Sequence, residues 1–448
     1  MRRFRGGKLE VQLILHRRPS FWEERQFYLG HLISVPAEKE IAVIDEGLEF
    51  DISRLNAVIY TTTRGAVLVD PGSMGFDSEG TPLKQLIAGQ RIVATVISHG
   101  HLDHWNHLGE MRDHIFMTQL AFQLASRHAY WQRDFQLTRA LRGAKMVVPG
   151  EPIFFEQNFP LRIDTISLPH SIPETVGLVI KGERTRVVHL GDFKFNGMDP
   201  KAKAVTIAQF SEIAKERVDL LVLNIINAHI PGFTPLEGLV IETLTDIIAR
   251  AKGRVIVACF STNLERIRRI VEITQILGRP VQFFGAGMQN SRELLSIPVE
   301  ERGLDKAVIF VTGCQAEEDS VLWRIAEGQN PTFELRPDDT LAFSSLCIPG
   351  NEENLRQMIA YLRSRVKKII VNEGEIKQVG LDDLGAEEML THISGHEYNG
   401  GLRLVLEILQ PKQILAWPQT EPQFSAFRKI AQEVGAKILP ETERIIEI

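Results

Sequence analysis

Seven consecutive residues, Ser98-His99-Gly100-His101-Leu102-Asp103-His104, hold three imidazoles and a carboxylate. They follow an apolar, β-branched stretch, Ile92-Val-Ala-Thr-Val-Ile97. A strand running into such a segment throws its last side chains onto a tight turn at the sheet edge. Neutral imidazole nitrogens and a carboxylate oxygen gathered there suit zinc or a similar divalent ion. His99, His101 and Asp103 alternate, so all three can face one pocket, and His104 comes round as the turn tightens. One isolated histidine would read as an ordinary loop residue; H-x-H-x-D-H after a strand reads as a metal site.

Two more residues complete a ligand set. His170 ends one strand-like run in Leu168-Pro169-His170-Ser171, and Asp192 ends another in His189-Leu190-Gly191-Asp192. The set suits a pair of ions bridged by Asp192, one held by His99, His101 and His170, the other by Asp103 and His104. Two close divalent ions lower the pKa of a shared water and stabilise both oxygens of a phosphoryl displacement. Asp70, in Val69-Asp70-Pro71-Gly72, is expected to support the site by hydrogen bonding rather than to ligate. His107 and His114, on what reads as a helix, are expected at the surface or behind the ligands. His16, His31 and His128 read as ordinary histidines.

The elements that must hold these side chains have two textures. Segments 9–16, 42–44, 56–63 and 66–69 read as strands, the last ending in the Asp70-Pro71-Gly72 turn. Segment 161–168 reads as the strand delivering His170. Segments 175–181 and 184–190 read as a hairpin across Gly182-Glu183 that runs into Asp192, and residues 119–143 look helical. From about 218 the chain alternates strand and helix. Strands are expected at 218–224, 254–260, 281–284, 307–312, 340–345 and 368–371, with helices at 236–251, 263–277 and 352–366. A helix at 401–409, a strand at 413–417 and a helix at 423–434 close the chain.

The 448 residues are enough for two domains of ordinary size, and 44% hydrophobic with 24% charged residues is a globular composition. A net charge of −6 neither argues for nucleic acid nor excludes a basic groove. Three widely spaced cysteines, Cys259, Cys314 and Cys347, argue against a disulfide framework and for a reducing compartment. With no spanning apolar run and no signal peptide, the protein is expected to be cytoplasmic, with no membrane partner.

The constellation resembles the metallo-β-lactamase fold, an αββα sandwich with its metals at one sheet edge. Later motifs narrow the resemblance to the β-CASP nucleases and, within them, to ribonuclease J: His170-Ser-Ile-Pro-Glu174, Gly191-Asp-Phe-Lys194, Pro231-Gly-Phe-Thr-Pro235, Thr312-Gly-Cys-Gln315, Ser344-Ser345 with Ile348-Pro-Gly-Asn351, and Ser394-Gly-His396. They run in order over residues from about 91 to 420. The resemblance implies an α/β fold: a metallo-β-lactamase domain begun by 1–235 and finished by 386–448, with a β-CASP insertion at 236–385. It implies RNA threading between the lobes. Ser344, Ser345, Gly350 and Asn351 would then offer hydroxyls and backbone N–H groups to a phosphate. Ser394 and His396 would lie on the phosphate side, His396 contacting the scissile phosphate or donating a proton to the leaving oxygen. Asp103 would orient the attacking water. The usual C-terminal domain is expected to be missing.

Two positions depart from the family. Asn224 stands where the family carries a carboxylate, so it cannot supply the negative charge that favours a protonated His396. Pro418 stands where the family's last histidine ligand belongs, which weakens the second ion's site; Gln419 or Glu421 are alternatives there. The leading expectation is a metal-dependent ribonuclease acting on single-stranded RNA, as a 5′–3′ exonuclease, an endonuclease or both. Its cofactor would be one or two Zn2+, with Mn2+ or Mg2+ as activators. The alternatives are a catalytically weakened homologue that binds RNA or a protein partner, and a nuclease acting on DNA. A generic ester or thioester hydrolase ranks last. A homo-oligomer stays open.

Overall fold

Val58, Tyr60, Val67 and Val69 alternate along the chain with Ile59, Ala66 and Leu68, and all are fully buried. Strands buried on both faces must lie inside a layered stack. A computed structural model describes residues 10–13 (backbone only), 56–73, 83, 87, 89–155, 159–199, 201–300, 303–318, 320–329, 333–348, 350–417 and 421–439. The expected strand at 42–44, Pro418 and Gln419, and His16 and His31 lie outside these residues. The chain forms two compact units, Met1–Phe195 with Lys201–Thr234 and Gly395–Ile448, and Asn196–Pro200 with Pro235–Ser394.

The first unit holds two sheets. One follows chain order: β1 (Glu10–Leu13), β2 (Val58–Thr62), β3 (Gly65–Val69), β4 (Ile92–Val96), β5 (His114–Thr118) and β6 (Lys145–Val147). It is antiparallel up to β3 and parallel from β3 to β6. The other sheet holds β7 (Pro152–Ile153), β8 (Arg162–Ser167), β9 (Val176–Lys181), β10 (Arg186–Gly191) and β11 (Leu220–Asn224), then the closing strands Gln413–Trp417 and Lys437–Ile438. Its β7–β10 part is antiparallel, and from β10 onward the strands run parallel.

Side-chain parity builds the layers. Val58, Tyr60, Val67, Val69 and Val96 of the first sheet share one core with Ile163, Leu178, Ile180, Val187 and Val222 of the second. Ile59, Leu68 and Met117 point the other way, under helices α1 (Gln119–Gln132) and α2 (Phe135–Leu141). Val179, Val188 and Leu221 point out of the second sheet under the helices Ala202–Ile213, Asn399–Leu409 and Glu421–Glu433. The result is helix, sheet, sheet, helix.

The second unit is a single parallel sheet. Its strands are β12 (Val255–Cys259), β13 (Val281–Phe284), β14 (Val308–Val311), β15 (Thr340–Ser344), β16 (Lys368–Asn372) and β17 (Glu387–Met389), in the spatial order β13-β14-β12-β15-β16-β17. Val255, Val257 and Phe310 bury against the helices Glu237–Arg250 and Leu264–Ile276. Ile256, Ala258 and Ile309 bury on the other face, against Glu352–Arg363. The unbroken apolar runs of these strands are what burial on both faces demands. Arg254 is nearly inaccessible and makes a fork to Asp339, Nε to Oδ1 at 2.8 Å and Nη2 to Oδ2 at 2.5 Å, so neither buried charge is left unpaired.

Two local expectations are corrected. The helix expected over 119–143 is interrupted: Arg133 takes a left-handed φ of 54°, and the Asp134 carboxylate then accepts the Leu137 N–H to start α2. His114 opens strand β5 instead of lying on a helix, while His107 precedes the single turn Leu108–Glu110. No helix among the described residues is long and apolar enough to cross a membrane. All three cysteines are buried free thiols.

Candidate metal centre

The parallel strands set the stage, because loops leaving their carboxyl ends are where α/β sheets place ligands. β3 runs into Asp70, β4 into Ser98 and the histidine segment, β10 into Asp192, and β11 ends at Asn224. β8 adds His170 three residues after its end.

Asp70 organises the loop after β4. It sits at a φ of 50°, a left-handed conformation that aspartate tolerates better than most residues. Its Oδ1 accepts the Ser98 backbone N–H at 2.7 Å, and its Oδ2 accepts the Ser98 hydroxyl at 2.6 Å. The same Oδ2 lies 2.9 Å from His104 Nδ1. The Ser98 hydroxyl proton is thus committed, and its oxygen, 2.9 Å from His99 Nδ1, accepts from that nitrogen. His170 Nδ1 donates to the Gly395 carbonyl at 2.7 Å. These bonds place the ring proton on Nδ1 of His99 and His170, leaving each Nε2 with its lone pair.

Those lone pairs converge. His101 Nδ1 lies 3.0 Å from His99 Nε2 and 3.1 Å from His170 Nε2. Nitrogens around a tetrahedral ion with ~2.05 Å bonds stand about 3.3 Å apart. Burial holds His99 and His170 well below the ordinary imidazole range and lowers His101 to about 4, so these rings are neutral at physiological pH, as metal ligation requires. With its proton on Nε2, His101 would turn a third acceptor to the same point, a set of lone pairs suited to a cation.

His104 Nε2 faces a second, acidic corner, 3.2 Å from Asp192 Oδ2 and 3.7 Å from Asp103 Oδ2. Burial opposes charge on His104, yet Asp103, Asp192 and Asp70 outweigh it and raise its pKa well above the ordinary value. Asp192 is lowered: burial raises it, and the surrounding histidines, His396 and His104 foremost, outweigh that. Asp103 is 40% exposed, and Asn56 grips it by donating Nδ2 to both its carbonyl (2.9 Å) and its Oδ2 (3.2 Å). Asp70, His99 and His104 form a further buried group of metal-ligand type, but Asp70 already has both oxygens engaged.

His396 also belongs to this corner. Its ring meets His170 edge to face at 5.4 Å, and its Nδ1 stands 3.7 Å from Asp192 Oδ1. Its carbonyl accepts from the Thr234 hydroxyl at 2.9 Å and from Asn227 Nδ2 at 3.2 Å. Asn224 gives its amide to Asp192 Oδ1 at 2.8 Å and accepts Ile226 N–H on its oxygen at 2.8 Å. The charge facing His396 is therefore that of Asp192, and Asn224 acts on Asp192.

The other sequence candidates lie in the second unit and are held by its own bonds. Ser344 is fully buried, donates its hydroxyl to Thr391 O at 2.7 Å and accepts from Arg266. Ser345 is buried with its hydroxyl turned to Cys314 O. Both hydroxyls are spent inside the unit, because β15 and the loop after it are covered on both faces. Gly350, at a φ of 101°, is exposed and donates its N–H to Glu352, while Asn351 precedes the helix Glu352–Arg363. Ser394 is half-buried at the last position of that unit.

Three contributors escaped the sequence reading: Asn56, Ser98 as a relay between Asp70 and His99, and Glu397. Only Ser98 carries a local signal, its place between strand and first histidine. Gly72 is a fourth. A Cβ there would collide with the backbone of Asp103 and His104. Gly72→Ala is therefore expected to push the histidine loop off its position and weaken zinc affinity by about 10–100-fold, as misplaced ligands do. Competition against a fluorescent zinc chelator measures it; unchanged affinity would refute the close approach.

Comparison with known proteins agrees with this geometry. The family profile described as "Metallo-beta-lactamase superfamily" matches residues 53–255, and that described as "Ribonuclease J, beta-CASP domain" matches residues 252–362. Ribonuclease J of Mycobacterium tuberculosis is 28% identical over 369 residues, covering 77% of this chain and 61% of that protein. Ribonuclease J of Thermus thermophilus is 28% identical over 383 residues (79% and 64%), and that of Mycoplasma pneumoniae 25% over 426 (90% and 68%). The chain thus spans about three fifths of the length of the first of these relatives. A crystal structure of a protein of unknown function from Enterococcus faecalis V583 shares the fold, with a TM-score of 0.54, 14% identity, and coverage of 86% of this chain and 95% of that one.

Fold and site together define a metallo-β-lactamase superfamily protein with a β-CASP domain. Within it, the chain belongs to the ribonuclease J-like members.

Proposed function

We propose that this chain hydrolyses phosphodiester bonds of single-stranded RNA with a divalent metal, zinc being the ion its neutral imidazoles suit. The observation that carries the reading is the gathering of His99, His101 and His170, with His101 Nδ1 3.0 Å from His99 Nε2 and 3.1 Å from His170 Nε2, beside the acidic corner of Asp103, His104 and Asp192. The name ribonuclease J borne by the similar proteins supports RNA as the substrate.

Bound there, a divalent ion supplies Lewis-acid stabilisation of phosphoryl oxygens and a lowered water pKa. His99, His101 and His170 would hold it, with Asp70, Ser98 and the Gly395 carbonyl keeping the ring protons of His99 and His170 on their far nitrogens. His104, Asp103 and Asp192 would extend the site to a second ion. Asp103, part-exposed and gripped by Asn56, orients the attacking water and takes up its proton. His396, with a 26% exposed ring beside His170, would donate a proton to the leaving oxygen.

One observation favours a second reading, an RNA-binding homologue with weakened chemistry. Asn224 occupies Asp192 Oδ1, an oxygen a bridging carboxylate would give to metal. Incubating the metal-loaded chain with 5′-monophosphorylated single-stranded RNA, and with DNA of the same sequence, decides between them. Cleavage of the RNA is expected. RNA bound but uncut under Zn2+, Mn2+ and Mg2+ establishes the second reading, and DNA cut in preference to RNA overturns the substrate.

A further inference from the structure

Helix α1 starts under the histidine loop and ends in solvent with its aromatic side chains uncovered. At its start, Gly100 packs so closely that an added Cβ would meet Leu124 at 2.6 Å and Ala121 at 3.5 Å. At its end Tyr130 is 76% exposed and Trp131 58%, and Phe135, which opens α2, is 81% exposed. Tyr130 and Trp131 meet edge to face at 5.6 Å. Large aromatic rings bury most of their area in ordinary surfaces, and a cluster left open marks a contact surface.

Charge says what the surface meets. Segment 119–148 carries five lysines and arginines against one carboxylate, Asp134, in a chain whose net charge is −6. Arg133, Arg139 and Arg142 are exposed. Asp134 is turned into the start of α2, where its Oδ1 accepts Leu137 N–H. Rings interleaved with guanidinium groups are the chemistry of single-strand binding: bases stack on the rings and phosphates meet the cations.

We propose that the junction of α1 and α2 is an anchoring surface for single-stranded RNA, separate from the metal centre. The proposal rests on the ribonuclease reading for the identity of the strand. From Ala121 to Trp131 the helix rises about 15 Å, so a strand held at the histidine loop reaches the rings only when it is several nucleotides long.

The test uses the metal-loaded full chain and fluorescein-labelled, cleavage-resistant phosphorothioate oligouridines of about 4 and about 20 nucleotides, spanning the usual site sizes of such surfaces. Anisotropy reads the affinity. The combined variant Tyr130→Ala/Trp131→Ala/Phe135→Ala is expected to bind the long strand at least about tenfold more weakly and the short one as the wild type does. A second variant, Arg139→Gln/Arg142→Gln, keeps the rings and is expected to flatten the slope of log affinity against log salt by about 1.4. Unchanged long-strand affinity and slope in both variants overturn the proposal. So does a sedimentation shift from oligomer to monomer in the aromatic variant with RNA affinity intact, which would make the surface a contact between copies. A wild type that binds long RNA through these residues but never cuts it leaves this proposal standing and sinks the hydrolytic one. A wild type that cuts RNA while both variants bind as it does has the opposite meaning.

Discussion

Replacing His99 and His101 together by alanine is expected to abolish metal binding at the imidazole site and to lower RNA hydrolysis by more than a thousandfold. The size follows from what is left. His101 Nδ1 is the shared neighbour of His99 Nε2 and His170 Nε2, so the double variant keeps a single imidazole of the three. Perturbing a residue behind a ligand already costs about 10–100-fold, and removing two ligands must exceed it. Metal content of the purified chain and initial rates on RNA are the two measurements.

Folding is separable from ligation here. In the metal-free wild type burial keeps His99, His101 and His170 neutral, so removing two of these rings strands no buried charge. The double variant does lose the buried His99 ring and its bond to Ser98, so each protein is compared with its own metal-free form. Zinc binding stabilises the folded state in proportion to the logarithm of its concentration over Kd. Only the wild type should gain melting temperature as zinc is added. A variant that still gains it, or that still cuts RNA at a comparable rate, would refute the ligand assignment.

The second large effect is expected at Glu397, a buried carboxylate that binds no metal. Its Oε2 accepts Phe195 N–H at 2.5 Å, and its Oε1 accepts the N–H groups of Thr234 and Tyr398, each at 3.0 Å, and lies 3.2 Å from the Thr234 hydroxyl. Phe195, Thr234 and Gly395 are the residues at which the first unit's chain breaks off or resumes. One side chain thus ties three distant stretches together, directly beside His396. Glu397→Ala leaves buried N–H donors without acceptors, each worth about 1–3 kcal/mol, so a loss of at least about 3 kcal/mol is expected in denaturant titration. Glutamine restores one acceptor but sets an amide N–H against the Phe195 or Thr234 N–H, so it should recover only part.

Catalysis should report the same link. The His396 carbonyl rests on Thr234, which Glu397 holds, so loosening the carboxylate lets the imidazole drift. A misplacement of about 1 Å costs on the order of a hundredfold in rate. In Glu397→Ala, assayed below its melting temperature, kcat is expected to fall while KM for RNA moves little. A kcat equal to the wild type would show that His396 keeps its position without Glu397.

The sequence determined what is local. Residue type and one-residue spacing put three imidazoles and a carboxylate on one turn, because a strand running into H-x-H-x-D-H has little freedom over where those side chains go. Unbroken apolar runs such as Val255–Cys259 and Val308–Val311 announced strands buried on both faces, since no partly exposed strand would tolerate them. Tertiary structure decided what depends on distant partners. The proton positions on His99 and His170 follow from Asp70, 28 residues before Ser98, and from Gly395, 225 residues after His170. Asn224 could be read only as a missing charge until its amide was found on Asp192. Ser344 and Ser345 looked available for a phosphate because a hydroxyl's partner is invisible in sequence, and both prove committed to backbone carbonyls. Spacing along a chain limits which groups can meet, but a hydrogen bond is made in space, and only the packed sheets bring both ends of these bonds together.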